Sequence, residues 1–225
     1  MYTKKQLLGK ALSRFILGLI FISAILFIPA GSIEYWNAWL FIGILFIPIL
    51  FVGIYLIIRD PELLDKRLNS QEKENKQKKM VLFTTITFLA GFILSGLDYR
   101  FGWSSVPLFL VVLSAIMVLI GYIMFFMVIR QNRYASRVVE VQEKQKVIDT
   151  GFYGVVRHPM YSAAILIFLF TPLVLGSFIA LIPFLIFPFQ MNIRIKNEEQ
   201  VLEEGLDGYV EYKKRVKYKV IPFIW

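Results

Sequence analysis

Long runs of apolar residues, separated by short polar segments, determine the predicted fold class of this chain. Residues 15–30, 38–58, 80–97 and 105–129 are each nearly free of charged side chains. A membrane-spanning helix needs about 20 such residues, and each run is close to that length or longer. The pattern predicts an all-α integral membrane protein.

A fifth apolar run, residues 160–190, contains no charged residue and is too long for one comfortable span. We therefore expect a hairpin of two short helices that turns near Thr171–Phe178. The hairpin brings the expected total to about six transmembrane helices. The residues that interrupt the run are Pro172, Gly176, Pro183 and Pro188.

The net charge of +9 is compatible with a nucleic-acid partner, but the placement of the basic residues favours a membrane topology. With about six crossings and both termini in the cytoplasm, every Lys and Arg except Arg100 lies on the cytoplasmic side. The charge then reflects orientation and contact with anionic membrane lipids, and we expect no nucleic-acid partner. In a prokaryote such a protein lies in the plasma membrane.

The spans divide the chain into two expected regions. Residues 1–129 form a four-span region with a basic cytoplasmic loop at 59–79, and residues 130–225 contain a polar loop, the hairpin and a final helix. Residues 1–30 also have features of a cleavable signal peptide, but the charge distribution fits best if this segment is retained as a span. The oligomeric state is left open.

The final helix is expected from Arg194 to about Lys217, where apolar and aromatic residues recur at helical spacing. Gly205 and Gly208 weaken its middle, so a break there is compatible with the pattern. The short loops between spans carry aromatic residues that we interpret as anchors at the membrane interface. These aromatic residues are Tyr35, Trp36, Trp39, Tyr99 and Trp103.

The first candidate site surrounds His158, the single histidine of the chain, in the sequence Arg157-His158-Pro159-Met160-Tyr161. The following proline disfavours helical geometry at His158 and places it where the hairpin begins. One histidine and no cysteine leave neither a multi-His metal site nor a thiol nucleophile. His158 is either structural or, beside Tyr153 and two glycines, part of a binding site.

The second candidate site comprises Arg194, Glu198 and Glu199, the first charged groups after the hairpin together with Lys196. A spacing of four residues places Arg194 and Glu198 on one face of a helix. One interpretation is a helix that emerges into water with an ordinary surface ion pair. In the other interpretation the carboxylates bind a cation and Arg194 holds an anionic group.

These motifs resemble the isoprenylcysteine carboxyl methyltransferase family. That family has a Gly-x-Tyr, then Arg-His-Pro-x-Tyr, a short membrane hairpin, an Arg followed by Glu-Glu-x-x-Leu, and a Gly-x-Tyr-x-x-Tyr element. The resemblance covers about residues 130–225, and the other half agrees only in being multispanning. The matching residues after the hairpin are Arg194, Glu198, Glu199, Leu202, Gly208, Tyr209, Tyr212 and Pro222.

The resemblance implies methyl transfer from S-adenosyl-L-methionine to a lipophilic acceptor at the cytoplasmic face, either the carboxylate of an isoprenylcysteine-like molecule or a lipid. It implies no metal. Arg194 would orient an acceptor carboxylate, and Glu198 is the candidate base if the acceptor is an amine. The cofactor-binding residues implied are Tyr153, Arg157, His158, Tyr161, Glu198 and Glu199.

Two alternatives remain open at this point. Membrane sterol reductases, which use a nicotinamide cofactor, also carry Arg-His-Pro-x-Tyr, but their pattern commonly continues as Asn-Tyr-x-x-Glu. This chain has Met160-Tyr161-Ser162-Ala163-Ala164 instead. A non-enzymatic transporter or adaptor is the other alternative, and it should place ionisable residues within its spans, which these spans almost entirely lack.

Overall fold

The computed structural model describes residues 4–68, 75–132, 134 and 138–225, without the side chains of residues 75–77. Within these residues the chain is helical and contains no β-strand. Part of the expected basic loop at 59–79 lies outside the described residues, as do Arg133 and Arg137. The prediction of an all-α membrane protein is confirmed.

Four helices are long and apolar enough to cross a membrane, in agreement with the four apolar runs. They are α1 (Lys4–Ala30), α2 (Trp36–Arg59), α4 (Asn75–Phe101) and α5 (Leu108–Gln131). A short helix, α3 (Pro61–Leu68), follows α2 and packs Leu63 and Leu64 against the ends of α1 and α2.

The hairpin consists of α6 (Pro159–Val174), the single turn α7 (Leu181–Phe184) and the first part of α8 (Phe187–Gly205). The chain reverses at residues 175–180, which we call the hairpin tip, where Gly176 has a φ of +76°. At 16 residues, α6 is shorter than the four long helices. The turn therefore lies where the sequence predicts it.

The hairpin tip is held by residues at the start of α2 and near the end of α4. The Tyr35 hydroxyl donates a hydrogen bond of 2.5 Å to the carbonyl of Leu175, and the Asn37 side-chain amide donates one of 2.9 Å to that of Val174. Asp98 accepts a hydrogen bond from Ser177. The hairpin thus extends between the two ends of the bundle.

The interpretation of all five loop aromatics as interfacial anchors is wrong for Tyr35. Trp36, Trp39 and Trp103 are exposed as expected, whereas Tyr35 is 1% exposed and stacks on Tyr99. Its hydroxyl is needed to satisfy a carbonyl at the hairpin tip, which the local sequence does not reveal.

The tail also differs from the single helix expected between Arg194 and Lys217. Helix α8 ends at Gly205, and a separate helix, α9 (Tyr209–Arg215), begins after Gly208. Gly208 has a φ of +80°, a left-handed conformation that residues with a Cβ atom rarely adopt. The two glycines therefore break the helix completely.

Close packing of α5 against α6 positions the start of the hairpin. A Cβ atom added at Gly121 of α5 would lie 2.6 Å from Cγ1 of Ile167 and 3.2 Å from the carbonyl oxygen of Ala163, both in α6. Only a glycine allows the two helices to approach this closely.

We expect Gly121→Ala to lower the stability by about 1–3 kcal/mol, because the added methyl group forces α5 and α6 apart. Gly53→Ala in α2 is the matched control, since a Cβ there meets nothing within 4 Å. Alanine favours helix formation, so the control should be unchanged or slightly stabilised. Thermal unfolding of both variants in the same detergent tests this, and equal melting temperatures would contradict it.

Candidate active site

A cavity opens at the end of the bundle where α5 ends and α6 begins. The cavity is partly open to solvent. Its walls come from the loop before α6, the start of α6, α8 and α9. The apolar side of the cavity contains Val138, Val139, Val147, Ile148, Met160, Val201, Leu202 and Leu206.

The two candidate sites found in the sequence lie together in this cavity. Six of the seven candidate residues line it, and the seventh, Glu199, lies directly behind the wall. The residues that line it are Tyr153, Arg157, His158, Tyr161, Arg194 and Glu198.

His158 is fixed between the two glutamates. It precedes α6 with a φ of −125° and a ψ of 61°, outside the helical region that Pro159 at the first helical position disfavours. Its Nε2 atom lies 3.1 Å from Oε1 of Glu199, and its Nδ1 atom lies 3.9 Å from Oε1 of Glu198. The ring is 5% exposed, so the imidazole forms part of the cavity wall.

Arg157 and Glu199 form a buried ion pair. The Nε atom of Arg157 donates to Oε1 of Glu199 over 2.7 Å, and its Nη1 atom donates to the carbonyls of Val216 and Lys217, each over 2.7 Å. Burial alone would raise the pKa of Glu199. The hydrogen bonds from His158 and Arg157 outweigh burial and lower this pKa to about 2. Glu199 is therefore anionic at neutral pH.

Glu198, Tyr161 and Arg194 form a second chain of polar contacts. The Tyr161 hydroxyl donates to Oε2 of Glu198 over 2.5 Å, and Nε of Arg194 donates to the Tyr161 hydroxyl over 3.0 Å. The Glu198 side chain is 26% exposed, compared with 5% for Glu199. Glu198 is thus the member of the pair that a ligand in the cavity can reach.

Tyr153 joins the loop to α9. Its hydroxyl accepts a hydrogen bond of 2.8 Å from the Asn132 side-chain amide, and its carbonyl accepts one of 2.8 Å from the Tyr212 hydroxyl. Burial raises the pKa of Tyr153 to about 12, so the hydroxyl stays protonated at neutral pH. Sequence reasoning missed Asn132, whose position at the end of α5 gives no motif.

Residues 216–220 complete the site from outside α6. The backbone N–H groups of Arg157 and His158 donate to the carbonyls of Tyr218 and Lys219 over 3.0 and 2.8 Å. The Ser162 hydroxyl donates to the carbonyl of Val220 over 2.6 Å. This segment, which we call the strap, holds the loop before α6 in place.

The fold and the site together define a helical membrane protein with an enzyme-like polar cavity at the end of its bundle. Residues 113–204, less than half of the 225-residue chain, match the model of the isoprenylcysteine carboxyl methyltransferase (ICMT) family. The match contains both motifs and the hairpin, and it confirms the resemblance seen in the sequence. No curated protein matches the chain. The family indicates a membrane methyltransferase.

We expect Arg157→Lys to destabilise the protein by about 3 kcal/mol, because one ammonium group cannot make all three contacts of the guanidinium, and a buried acceptor is left without its donor. Arg215→Lys is the control: Arg215 pairs with Asp149 on the surface and is 65% exposed, and such pairs contribute little. Thermal unfolding should separate the two variants by several degrees. Similar melting temperatures would show that the buried pair contributes little.

Proposed function

We propose that the protein transfers a methyl group from S-adenosyl-L-methionine to a lipophilic acceptor at the cytoplasmic face of the membrane. The observation that carries the proposal is the cavity-facing carboxylate of Glu198, next to an apolar wall and within the segment that matches the ICMT family. The cofactor combines an ammonium group at its amino-acid end with an adenosine group, and this cavity offers a partner to each.

The residues present fit the cofactor in charge and polarity. Glu198 is placed to accept hydrogen bonds from its ammonium group, and His158 to contact its amino-acid or ribose portion. Val201, Leu202 and Leu206 offer an apolar surface to the adenine ring. When bound, S-adenosyl-L-methionine supplies the electrophilic methyl group on its sulfonium.

We propose for Glu199 a different role from the one that the family resemblance implies. Its carboxylate is occupied by Arg157 and His158, and Lys213 lies 3.4 Å from its second oxygen. In the proposed site Glu199 is a positioning residue that holds Arg157 and His158 in the wall. Arg157 itself is a wall residue whose guanidinium is directed towards Glu199 and the strap.

The acceptor is proposed to reach Arg194 from the bilayer. The outward face of α8 just before Arg194 carries exposed apolar side chains, including Phe189 and Ile193. Arg194 would then orient an acceptor carboxylate, which needs no base, whereas an amine acceptor would need Glu198 as the base. Holding donor and acceptor about 3 Å apart in a dry pocket provides most of the catalysis.

The proposed topology has six crossings and both termini in the cytoplasm, with the hairpin arms as the fifth and sixth. It is supported by the basic residues, all of which except Arg100 belong to the termini or to loops on one side. The hairpin tip contacts loops at the opposite end of the bundle. Residues 130–225 then form the catalytic region and residues 1–129 its membrane support.

Calorimetry on the purified protein in lipid nanodiscs tests the cofactor. We expect S-adenosyl-L-methionine to bind and Glu198→Gln to weaken binding at least about tenfold, because a neutral amide replaces the partner of an ammonium group. Glu203→Gln, an exposed position on the same helix that contacts Lys213, should bind normally. Binding of NADPH without S-adenosyl-L-methionine would instead identify a reductase.

Arg194→Ala should reduce methyl transfer while leaving cofactor affinity nearly unchanged, because Arg194 is proposed to contact the acceptor. The assay incubates membranes with a labelled methyl donor and follows the lipid-soluble product. Lys196→Ala, at an exposed position on the same helix, is the control. If Arg194→Ala weakens cofactor binding and spares turnover at saturation, Arg194 belongs to the cofactor site.

A further inference from the structure

Tyr209 carries a buried hydroxyl that has no partner among the residues the structure describes. Its side chain lines the cavity and is 4% exposed, and its Oη atom makes no hydrogen bond. A buried polar atom without a partner is destabilising, and native proteins contain few of them. A phenylalanine would fill the same space without leaving a buried donor unsatisfied. The hydroxyl is therefore a candidate to donate a hydrogen bond to a ligand.

The ring of Tyr209 is held in place by its surroundings. Its backbone N–H donates to the carbonyl of Leu206 over 3.1 Å, and its ring packs 5.7 Å from that of Tyr212. Tyr212 provides a comparison on the same helix, because its hydroxyl is satisfied by the carbonyl of Tyr153. Only one of these two neighbouring tyrosines therefore has a hydroxyl left for a ligand.

The surrounding charges define what the hydroxyl can bind. Burial and the nearby carboxylates of Glu199 and Glu198 raise the pKa of Tyr209 above its ordinary value, so it remains a protonated donor. Glu198 is the proposed partner of the cofactor ammonium. In an amino acid the ammonium and carboxylate groups are attached to the same carbon atom, so the carboxylate must lie close to the ammonium.

We propose that the Tyr209 hydroxyl donates a hydrogen bond to the α-carboxylate of S-adenosyl-L-methionine. Glu198 and Tyr209 then recognise the two charged groups at the amino-acid end of the cofactor, one as acceptor and the other as donor. The assignment rests on the proposed function and adds to it a residue from α9, beyond the segment that matches the family.

Two ligands that differ only at the amino-acid end separate this role from a general effect on the pocket. S-adenosylhomocysteine carries the ammonium and carboxylate groups, and methylthioadenosine lacks both. We expect Tyr209→Phe to weaken S-adenosylhomocysteine about tenfold or more, since hydrogen bonds to charged groups are the strong ones. Its affinity for methylthioadenosine should not change. Calorimetry in nanodiscs measures both.

Thermal unfolding of the ligand-free protein provides a second readout. Tyr209→Phe should be as stable as the unmodified protein or more stable, because it removes an unsatisfied hydroxyl. Tyr212→Phe is the matched control: it loses the hydrogen bond to Tyr153, so its melting temperature should fall. Its affinities for the two ligands should stay in the same ratio.

Three results would overturn the assignment. They are an equal loss of affinity for both ligands in Tyr209→Phe, no loss for either, and a fall in melting temperature as large as that of Tyr212→Phe. If the unmodified protein binds neither ligand, the proposed function itself fails, and that result is distinct because no substitution is involved.

Discussion

The buried ion pair between Arg157 and Glu199 is the interaction on which the rest of the site depends. It joins three segments that are distant in sequence: the loop before α6, helix α8 and the strap. Charges this far from water are tolerated only when each is paired and hydrogen-bonded, and here both are. The pair fixes His158 against Glu199 and closes one side of the cavity. Together with the backbone hydrogen bonds from Arg157 and His158 to the strap, it joins the loop, the strap and α8.

Two neighbouring glutamates on α8 have different surroundings. Successive residues of an α-helix point about 100° apart, so Glu198 and Glu199 cannot both face the same space. Glu199 turns inward, where Arg157 pairs with it and His158 contacts it, whereas Glu198 turns to the cavity, where Tyr161 contacts it. The two glutamates are adjacent in the sequence, yet Glu199 lies behind the cavity wall and Glu198 faces the cavity.

The spans and the location of the site could be predicted because they depend on local signals. Long apolar runs define the four helices, and Pro159 keeps His158 out of helical geometry. The burial of Tyr35 could not be predicted, because its hydrogen-bond partner lies far away in sequence. The unsatisfied hydroxyl of Tyr209 could not be predicted either, because it depends on which distant residues pack around it. The break at Gly208 could be predicted only in part. The sequence shows the glycine, but whether it adopts a left-handed conformation depends on how α9 packs.

Because the strap lies late in the chain, it also determines the order in which the parts of the protein can fold. The carbonyls that accept hydrogen bonds from Arg157 belong to residues that lie 59 and 60 positions further along the chain. During synthesis the long helices can enter the membrane and pack before these carbonyls have left the ribosome, since chain segments fold as they emerge. The helical bundle can therefore form before the cavity is finished. The protein would then become able to transfer methyl groups only in a separate, late step, when the strap docks on the loop before α6.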